Sequence, residues 1–567
     1  MTKQQRINYL QDIWDEAVKL TWHSRREARE MYEYLRGNQL PDDVIATLES
    51  RGQPIQWENV IQEIDTSIEG MKLMTRTELS LTNRHPEDEE RVKVMESIHK
   101  STLDAPEWWE NKARSDLDLR IVGLSAIETV LVNMDEFDGQ GKRLREMRHD
   151  YLPALECYID MYSRKTDYSD ARYFHHSRMY DKKTLVRKFG AEAKKLEEDN
   201  YGMCRVTRTW YRDGDTIRIA TWYGDVVLED IAQPYTKTKG RFSVAVRRTK
   251  ITHVREYVGM YRNVKPFQDK INNMMLRLIN MLGSSKLLVE ASAVADIDVF
   301  QEEYSMDNSV TVVNDGTLKD KRIQDIRLTN DITQLMSLVQ DARRKALQIM
   351  GLNPELLGTS TIRQSGVALE IKQNAGLVGL QKFLTTSTEM DKDLLELDSG
   401  IMQQYFTAEQ VFSITGREGV KEHFYLNEYE RDATGRVMFK DGVPMQQNIL
   451  FVGRYDLTID QVPFNNGSSD AKMKSWAEMM KIIPPEKAAA LIPSMLRDVG
   501  SAQADETRDI LAKLDAQAAQ APQGEDPAMQ QMKLQMQTMQ AKIEEMVSKA
   551  NLNNAKAGEI AGSKGTE

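Results

Sequence analysis

The residue types that carry chemistry are present in this 567-residue chain, but not at the spacings that chemistry needs. His175 and His176 are adjacent, and neighbours on a strand point to opposite faces, so the pair cannot chelate one ion together. Glu87, Asp88, Glu89 and Glu90 form an acidic run behind Pro86. Successive residues fan out around a helix and no His or Asp follows at ligand spacing, so these acids are expected to complement the dipole of a helix start rather than hold a metal. Asp432-Ala433-Thr434-Gly435 and Lys440-Asp441-Gly442 are turn chemistry without the alternating acids of a calcium loop. Cys157 and Cys204 lie far apart with no Cys or His at ligand spacing, which predicts buried thiols in a reducing cytosol. There is no Gly-x4-Gly-Lys-Ser/Thr loop, His-Glu-x-x-His or nucleophile elbow. No catalytic residue, metal or cofactor is therefore expected. The enzyme reading that stays open is a metal-dependent nuclease site assembled in space from scattered acids.

With chemistry set aside, the elements organise around Tyr261 to Gly366. Pro266 sits at a first helical position, and Phe267, Ile271, Met274, Met275, Leu278, Met281 and Leu282 recur at helical spacing until Gly283-Ser284-Ser285. Lys286 to Val294 predicts a strand, Asp296 to Tyr304 a short helix, and Ser309 to Val313 a second strand turning at Asn314-Asp315-Gly316. Asn330 is expected to cap a second helix carried by Ile332, Leu335, Leu338, Val339, Ala342, Ala346, Leu347 and Ile349. Gly351-Leu352-Asn353-Pro354 stops it, and Leu357 to Gly366 follows without periodicity.

Around this centre the chain predicts helices and strands in blocks. Met1 to Arg36 is one amphipathic helix with Ile7, Leu10, Trp14, Ala17, Val18 and Thr21 on a face, ended by Gly37. Strands are expected at 78–83, 121–132, 205–213, 217–229 and 241–247, the third and fourth as a hairpin across Asp213-Gly214-Asp215. A long helix runs from Ser365 through Phe406, and strands return at 411–414, 422–427, 436–440, 448–451 and 454–460. Helices follow at 469–483, 486–496 and 505–514. After a polar Ala/Gln/Pro linker from Ala516 to Asp526, the residues Met529, Met532, Met536, Met539, Ile543 and Met546 alternate spacings of three and four, the a/d seam of a heptad helix. So narrow a seam implies self-association, a partner helix, or disorder until one arrives.

Composition bounds the class. The apolar fraction of 40% supports a buried core, and no run is long and apolar enough to span a membrane. The net charge of −11 argues against broad neutralisation of phosphates.

The stretch from Tyr257 to Asn272, Tyr-Val-Gly-Met-Tyr-Arg-Asn-Val-Lys-Pro-Phe-Gln-Asp-Lys-Ile-Asn, then Lys286-Leu287-Leu288-Val289-Glu290 and Gly351 to Gly358, resembles the portal protein of tailed bacteriophages of the short-tailed (podovirus) type. Tyr34-Leu35-Arg36-Gly37-Asn38-Gln39, Gly52-Gln53-Pro54 and Asn59-Val60-Ile61 match that family's N-terminal pattern of helix, Gly-x-Gln turn and Asn-led helix. Tyr158-Ile159-Asp160, Asp170-Ala171-Arg172 and a Leu-bearing helix within 179–189 follow in the family's order, and the resemblance spans Tyr34 to Leu514.

The resemblance implies an α+β portal fold: N-terminal helices and a β-rich wing over 1–260, a first stem helix over 261–285, a small α/β clip over 286–330, a second stem helix over 331–350 and a tunnel loop over 351–366. A long helix and the second part of the wing over 367–468, crown helices over 469–515 and a linker with a C-terminal heptad helix, barrel-like or disordered, over 516–567 complete it. It implies a ring of identical subunits, twelve in number, at one capsid vertex of the virion, assembled in the host cytoplasm without a membrane. Double-stranded viral DNA would pass through it. The large terminase subunit, the major capsid and scaffolding proteins and a head-completion or tail adaptor protein would bind it.

Within that frame Thr359, Ser360, Thr361, Arg363 and Gln364 are the expected DNA-facing tunnel loop, where small hydroxyls and amides make replaceable contacts. Their alternative is a plain interhelical loop. Lys265, Lys270, Arg277, Arg343, Arg344 and Lys345 are the basic residues of the stem, lining the channel or pairing with Asp269, Asp341 and neighbouring subunits. Lys286, Leu288, Glu290, Asp298, Glu302, Asn314 and Asp315 are the expected docking residues of the clip. The competing readings are a nuclease or other DNA-packaging enzyme, and a head-to-tail adaptor ring.

Overall fold

A computed structural model of the chain describes residues 2–463, apart from 74, 84–88, 139–140, 250–255, 284–285, 306–309, 327–328, 353–365, 416–420, 432–436, 441–442 and 448–454, together with Trp476. The protein is α+β. The N-terminal helix α1 (Lys3–Arg36) starts at a capping box in which Thr2 Oγ1 accepts the Gln5 N–H at 3.3 Å and Gln5 Oε1 accepts the Thr2 N–H at 2.8 Å. It ends at Gly37, which takes φ 94. Then come α2 (Asp42–Ser50), α3 (Val60–Leu73), β1 (Thr75–Asn83), α4 (Glu89–Asp104) and α5 (Pro106–Ile121). A β-rich block follows: β2 (Leu124–Phe137), β3 (Arg143–Tyr151), β4 (Cys157–Ile159), β5 (Tyr173–Asp181), α6 (Lys182–Phe189), β6 (Met203–Asp213), β7 (Thr216–Tyr223), β8 (Val226–Ala232) and β9 (Val244–Arg248).

Strands β4 to β8 form a five-stranded antiparallel meander in chain order, and β3-β2-β9 a second sheet. Because side chains alternate across a strand, the meander buries both faces. Tyr173, Tyr211 and Trp222 pack under Leu10, Ile13 and Ala17 of α1. Their neighbours Phe174 and Trp210 pack with Phe242, Val244 and Val246 on the other side. His175 and His176 follow the same alternation and are both buried. One meets Thr209 Oγ1 at 2.7 Å and the other Glu156 Oε2 at 3.0 Å, so neither shares a ligand with the other. Burial pushes His175 down to about 3, which keeps it neutral.

The centre of the chain holds α7 (Lys265–Gly283), β10 (Lys286–Val289), α8 (Ile297–Ser305), β11 (Ile323–Ile326) and α9 (Thr329–Ile349). The 40-residue α10 (Gly366–Tyr405) then crosses the β-rich block. It is followed by β12 (Gln410–Thr415), β13 (Lys421–Leu426), β14 (Glu428–Tyr429), β15 (Phe439–Lys440), β16 (Val443–Pro444), β17 (Gln446–Gln447) and β18 (Tyr455–Pro463). The last strand returns to pair along its full length with β1, so a two-stranded sheet joins the N-terminal third to the far end of the described chain.

Several boundaries differ from the sequence reading, each for a local reason. Residues 121–123 end α5 and turn at Gly123, φ 81, so the strand expected from Ile121 starts at Leu124. Met179 to Asp181 stay in β5 because pairing with β6 continues to Asp181 opposite Met203, and Asp181 caps α6 by accepting the Thr184 N–H at 2.8 Å. The strand expected over 217–229 breaks at Gly224, φ 57, into the hairpin β7–β8. The strand expected from Arg241 begins at Val244, and that expected over 436–440 is the two-residue β15. Asn427, at φ 51, ends β13 one residue early and donates its amide to the Phe406 and Ala408 carbonyls. The strand expected over 286–294 stops at Val289, and α9 begins at Thr329, which places Asn330 inside it rather than at its cap. Among the described residues, 310–313 join no strand pair, and the partner of β10 is β11. The strand expected over 448–451 and the helices expected over 469–514, Trp476 apart, lie outside the described residues.

Candidate functional site

The helices α7 and α9 are 19 and 21 residues long, about 28 and 32 Å at 1.5 Å per residue. Antiparallel pairing of β10 with β11 at their far end makes the helices antiparallel too. Their shared face buries Ile271 of α7, flanked by the partly buried Met274 and Met275, with Val339, Ala342 and Ala346 of α9, and the two alanines let the backbones approach.

The root of the pair is locked by amides. Gln268 Oε1 accepts the Val60 and Ile61 N–H groups at 3.0 and 3.2 Å, so a side chain of α7 caps the orphan donors at the start of α3. Gln268 Nε2 donates to Glu58 O at 2.7 Å and Asn272 Oδ1 at 2.9 Å. Asn272 in turn donates to Gln39 Oε1 at 2.8 Å, Gln39 to Asn59 Oδ1 at 2.8 Å, and Asn59 to Tyr34 O and Leu35 O at the end of α1. Gln39 and Asn59 belong to the N-terminal pattern and Gln268 and Asn272 to the central stretch, but only the fold shows that they are one network. Replacing Gln268 with alanine is expected to lower stability by about 2–4 kcal/mol, because several buried donors and acceptors lose partners at once. A fall in the urea midpoint measures it.

The six basic residues expected on these helices divide. Lys265 pairs with Glu30 and Asp269, both at 3.2 Å, and lies 4.8 Å over the Tyr34 ring. Partial burial opposes its charge, but Asp269, Tyr34 and Glu30 outweigh that and push its pKa up. Tyr34, whose hydroxyl donates to Asp269, is pushed up to about 12 by burial and by that hydrogen bond. Arg343 reaches Glu58 and, at 2.7 Å, Glu63. Arg344 and Lys345 share Asp341 at 2.6 and 2.8 Å. All four pair within the chain. Lys270 and Arg277 make no ion pair among the described residues, and with Asn273 they form a stripe at i, i+3 and i+7 that carries no acid.

At the far end, Leu288 is 57% exposed, and Glu290, Asp298, Glu302 and Asp315 put four carboxylates on the surface of one small module. Asn314 is a pin rather than a free group: its N–H and side-chain amide donate at 3.0 Å to the Ala293 and Ser292 carbonyls. Lys286 opens β10. Thr359, Ser360, Thr361, Arg363 and Gln364, and the seam residues Met529 to Met546, lie outside the described residues.

Sequence reasoning missed a buried charge ladder along α10. Lys112 Nζ lies 2.6 Å from Asp116, 2.6 Å from Ser387 Oγ and 3.2 Å from Asp391, and Lys72 also pairs with Asp116. Burial, reinforced by the charge of Lys112, pushes the Lys72 pKa down. Asp393 pairs with Arg247 and, at 2.8 Å, Arg241; Asp398 meets His149 at 2.8 Å and Thr129 at 3.1 Å. The one signal in the sequence is Asp391, Asp393 and Asp398 set among Leu394, Leu395 and Leu397, acids on a helix that must be buried. Among the described residues no group of His, Cys, Asp and Glu is arranged to hold a metal, and no helix is long and apolar enough to cross a membrane.

A family model described as phage P22-like portal protein matches this chain over residues 11–226 and 216–555. The chain is also 27% identical over 541 residues to the portal protein of Helicobacter pylori bacteriophage KHP30, an alignment that covers 93% of this chain and 86% of that protein.

Proposed function

Because the chain belongs to the phage P22-like portal protein family, we propose that it is the subunit of a closed ring at one capsid vertex, through whose bore double-stranded DNA is packaged and ejected. The antiparallel pair α7–α9 is the stem, residues 286–328 the clip and the β-rich block the wing. The observation that carries this reading is the solvent face of the pair. Beside the acid-free stripe of Lys270, Asn273 and Arg277, α9 leaves Met336 54%, Leu338 40% and Ile349 44% exposed. Apolar side chains on a helix that packs on one side only call for a neighbour on the other, and a ring of copies supplies it.

Lys270 and Arg277 then face the bore as sparse cations that steer DNA without gripping it, which suits a subunit of net charge −11. Lys265 and Arg343 brace the stem root. Thr359, Ser360, Thr361, Arg363 and Gln364 form the tunnel loop, and the carboxylates of the clip with Leu288 dock the terminase and the tail adaptor. The Met seam gathers the C-terminal tails of twelve copies, and the ring nucleates the capsid with scaffolding and major capsid proteins.

Electron microscopy and native mass spectrometry of the purified chain test this. Rings with an open bore, at a whole-number multiple of 65.1 kDa, are expected. Lys270→Gln with Arg277→Gln should leave those rings intact and lower the DNA packaged by about tenfold. A monomer or dimer that cuts DNA with magnesium would overturn the reading.

A further inference from the structure

We propose that Val310–Val313 is a strand supplied to a second copy of this chain, where it adds to the open edge of β10. The segment reads Val-Thr-Val-Val, all β-branched, and its spacing predicts a strand. In its own chain it is neither helix, turn nor strand, and no backbone N–H or C=O of its four residues makes a hydrogen bond among the described residues. Val310 is 83% and Val312 78% exposed, while Thr311 and Val313 between them are half-buried, so the two faces already alternate with the period of a strand. An unpaired, β-branched stretch with its backbone bare is a template for another chain.

The segment is also held in place. Asn314 next to it is fixed to the Ser292 and Ala293 carbonyls, and the Thr317 hydroxyl donates to the same Ala293 carbonyl at 3.1 Å. That anchor removes part of the ordering entropy before any partner arrives.

The acceptor lies in the same module. β10 and β11 form a sheet of only two strands with four paired positions, and a lone pair of that size is marginal in water. β10 uses one edge for β11, and its other edge is open among the described residues. Its exposed Leu288 offers an apolar cross-strand partner for Val310 or Val312, whereas β11 exposes Gln324. Leu318, 77% exposed, and Ile297, 57% exposed, widen the apolar surface that a second module would cover. Donor segment and acceptor edge are different stretches of the chain, 310–313 and 286–289, so handing the strand on to the next copy makes a head-to-tail contact, which closes as a ring when its rotation divides a full turn. To that extent the inference rests on the proposed ring. It makes the clip a seam between subunits in addition to a docking platform.

Cysteine cross-linking of the full-length chain tests it. Leu288→Cys is combined in one protein with Val310→Cys and in another with Val312→Cys, then oxidised and run without reductant. The native Cys157 and Cys204 are buried and give little background. A ladder of covalent oligomers is expected from at least one double variant and from no single variant, and Val312→Pro, which removes a backbone donor, should cut the assembled fraction at least tenfold while Val312→Thr does not. Rings by microscopy with no ladder, and a Val312→Pro protein that assembles like the parent, would overturn the strand exchange and leave the ring standing. A ladder without closed rings would support the exchange and overturn the ring. A chain that gives neither sinks both.

Discussion

Gly259→Ala is expected to destabilise the subunit by about 3–5 kcal/mol and to abolish its assembly, although the substitution adds one methyl group. The backbone conformation is not the obstacle, since Gly259 has φ −70 and ψ 166, which any residue adopts. Space is. A Cβ there would fall inside the Ile121 carbonyl and stand 2.8 Å from the Arg120 carbonyl oxygen, and main-chain atoms at a helix end cannot swing aside as a side chain does. The contact is reciprocal, because Gly123, at φ 81, packs against the Val258 carbonyl, and Thr249 Oγ1 donates to that same carbonyl at 2.9 Å. Two bare backbones thus cross where α5 ends and the chain approaches α7. Gly70→Ala is the control: it lies in α3 with nothing within 4 Å of an added Cβ, so helix propensity predicts a gain of up to about 1 kcal/mol. Urea midpoints and native mass spectra of the two variants decide it. Equal behaviour would show that the crossing is looser than its geometry.

Asp65→Ala is expected to cost about 3–5 kcal/mol by a different route. Asp65 Oδ1 accepts from Arg120 Nε at 2.6 Å and Oδ2 from Nη2 at 3.3 Å, and the Tyr261 hydroxyl donates to Oδ1. Both charged side chains are buried, with the Phe383 ring of α10 5.7 Å from the guanidinium. Truncating the acid strands a buried cation, and in a low-dielectric interior that penalty exceeds what the pair contributed. The double variant Asp65→Leu with Arg120→Met, which removes both charges and keeps the volume, should therefore recover most of the loss. If it does not, the pair contributes net stability and the desolvation argument fails. Its place explains the size of the effect: Asp65 is on α3, Arg120 on α5 and Tyr261 just before α7, so one carboxylate ties three elements at the stem root.

The residues whose meaning was visible early are those that act locally. The apolar period of α1 with its Gly37 stop, the Asn59-led start of α3, the periods of α7 and α9 and the alternation that sends His175 and His176 to opposite faces were all legible, because each depends on neighbours within a turn or two. The class of protein was legible as well, from the order of short motifs rather than from any one of them. The site was legible only in part. The sequence placed six cations on two helices and offered Asp269 and Asp341 as local partners, which Lys265, Arg344 and Lys345 take. It could not tell that Arg343 is held by Glu58 and Glu63 and Lys265 also by Glu30, nor that Lys270 and Arg277 make no ion pair among the described residues, because those partners arrive from α1 and the start of α3.

By itself, then, the sequence determined the long periodic helices and many of the strands, and which of their faces are apolar, since periodicity and turn chemistry are properties of short segments; α5 and β11, which it did not mark, came with the fold. Tertiary structure alone decided the partners: β18 returning to β1, β11 rather than 310–313 beside β10, Gln268 capping a helix far away in the chain, and Lys72, Lys112, Asp116 and Asp391 buried against one another. Backbone hydrogen bonds carry no address, and a charge can be buried only where another segment brings its counter-charge. Those choices depend on long-range packing, which no local pattern records.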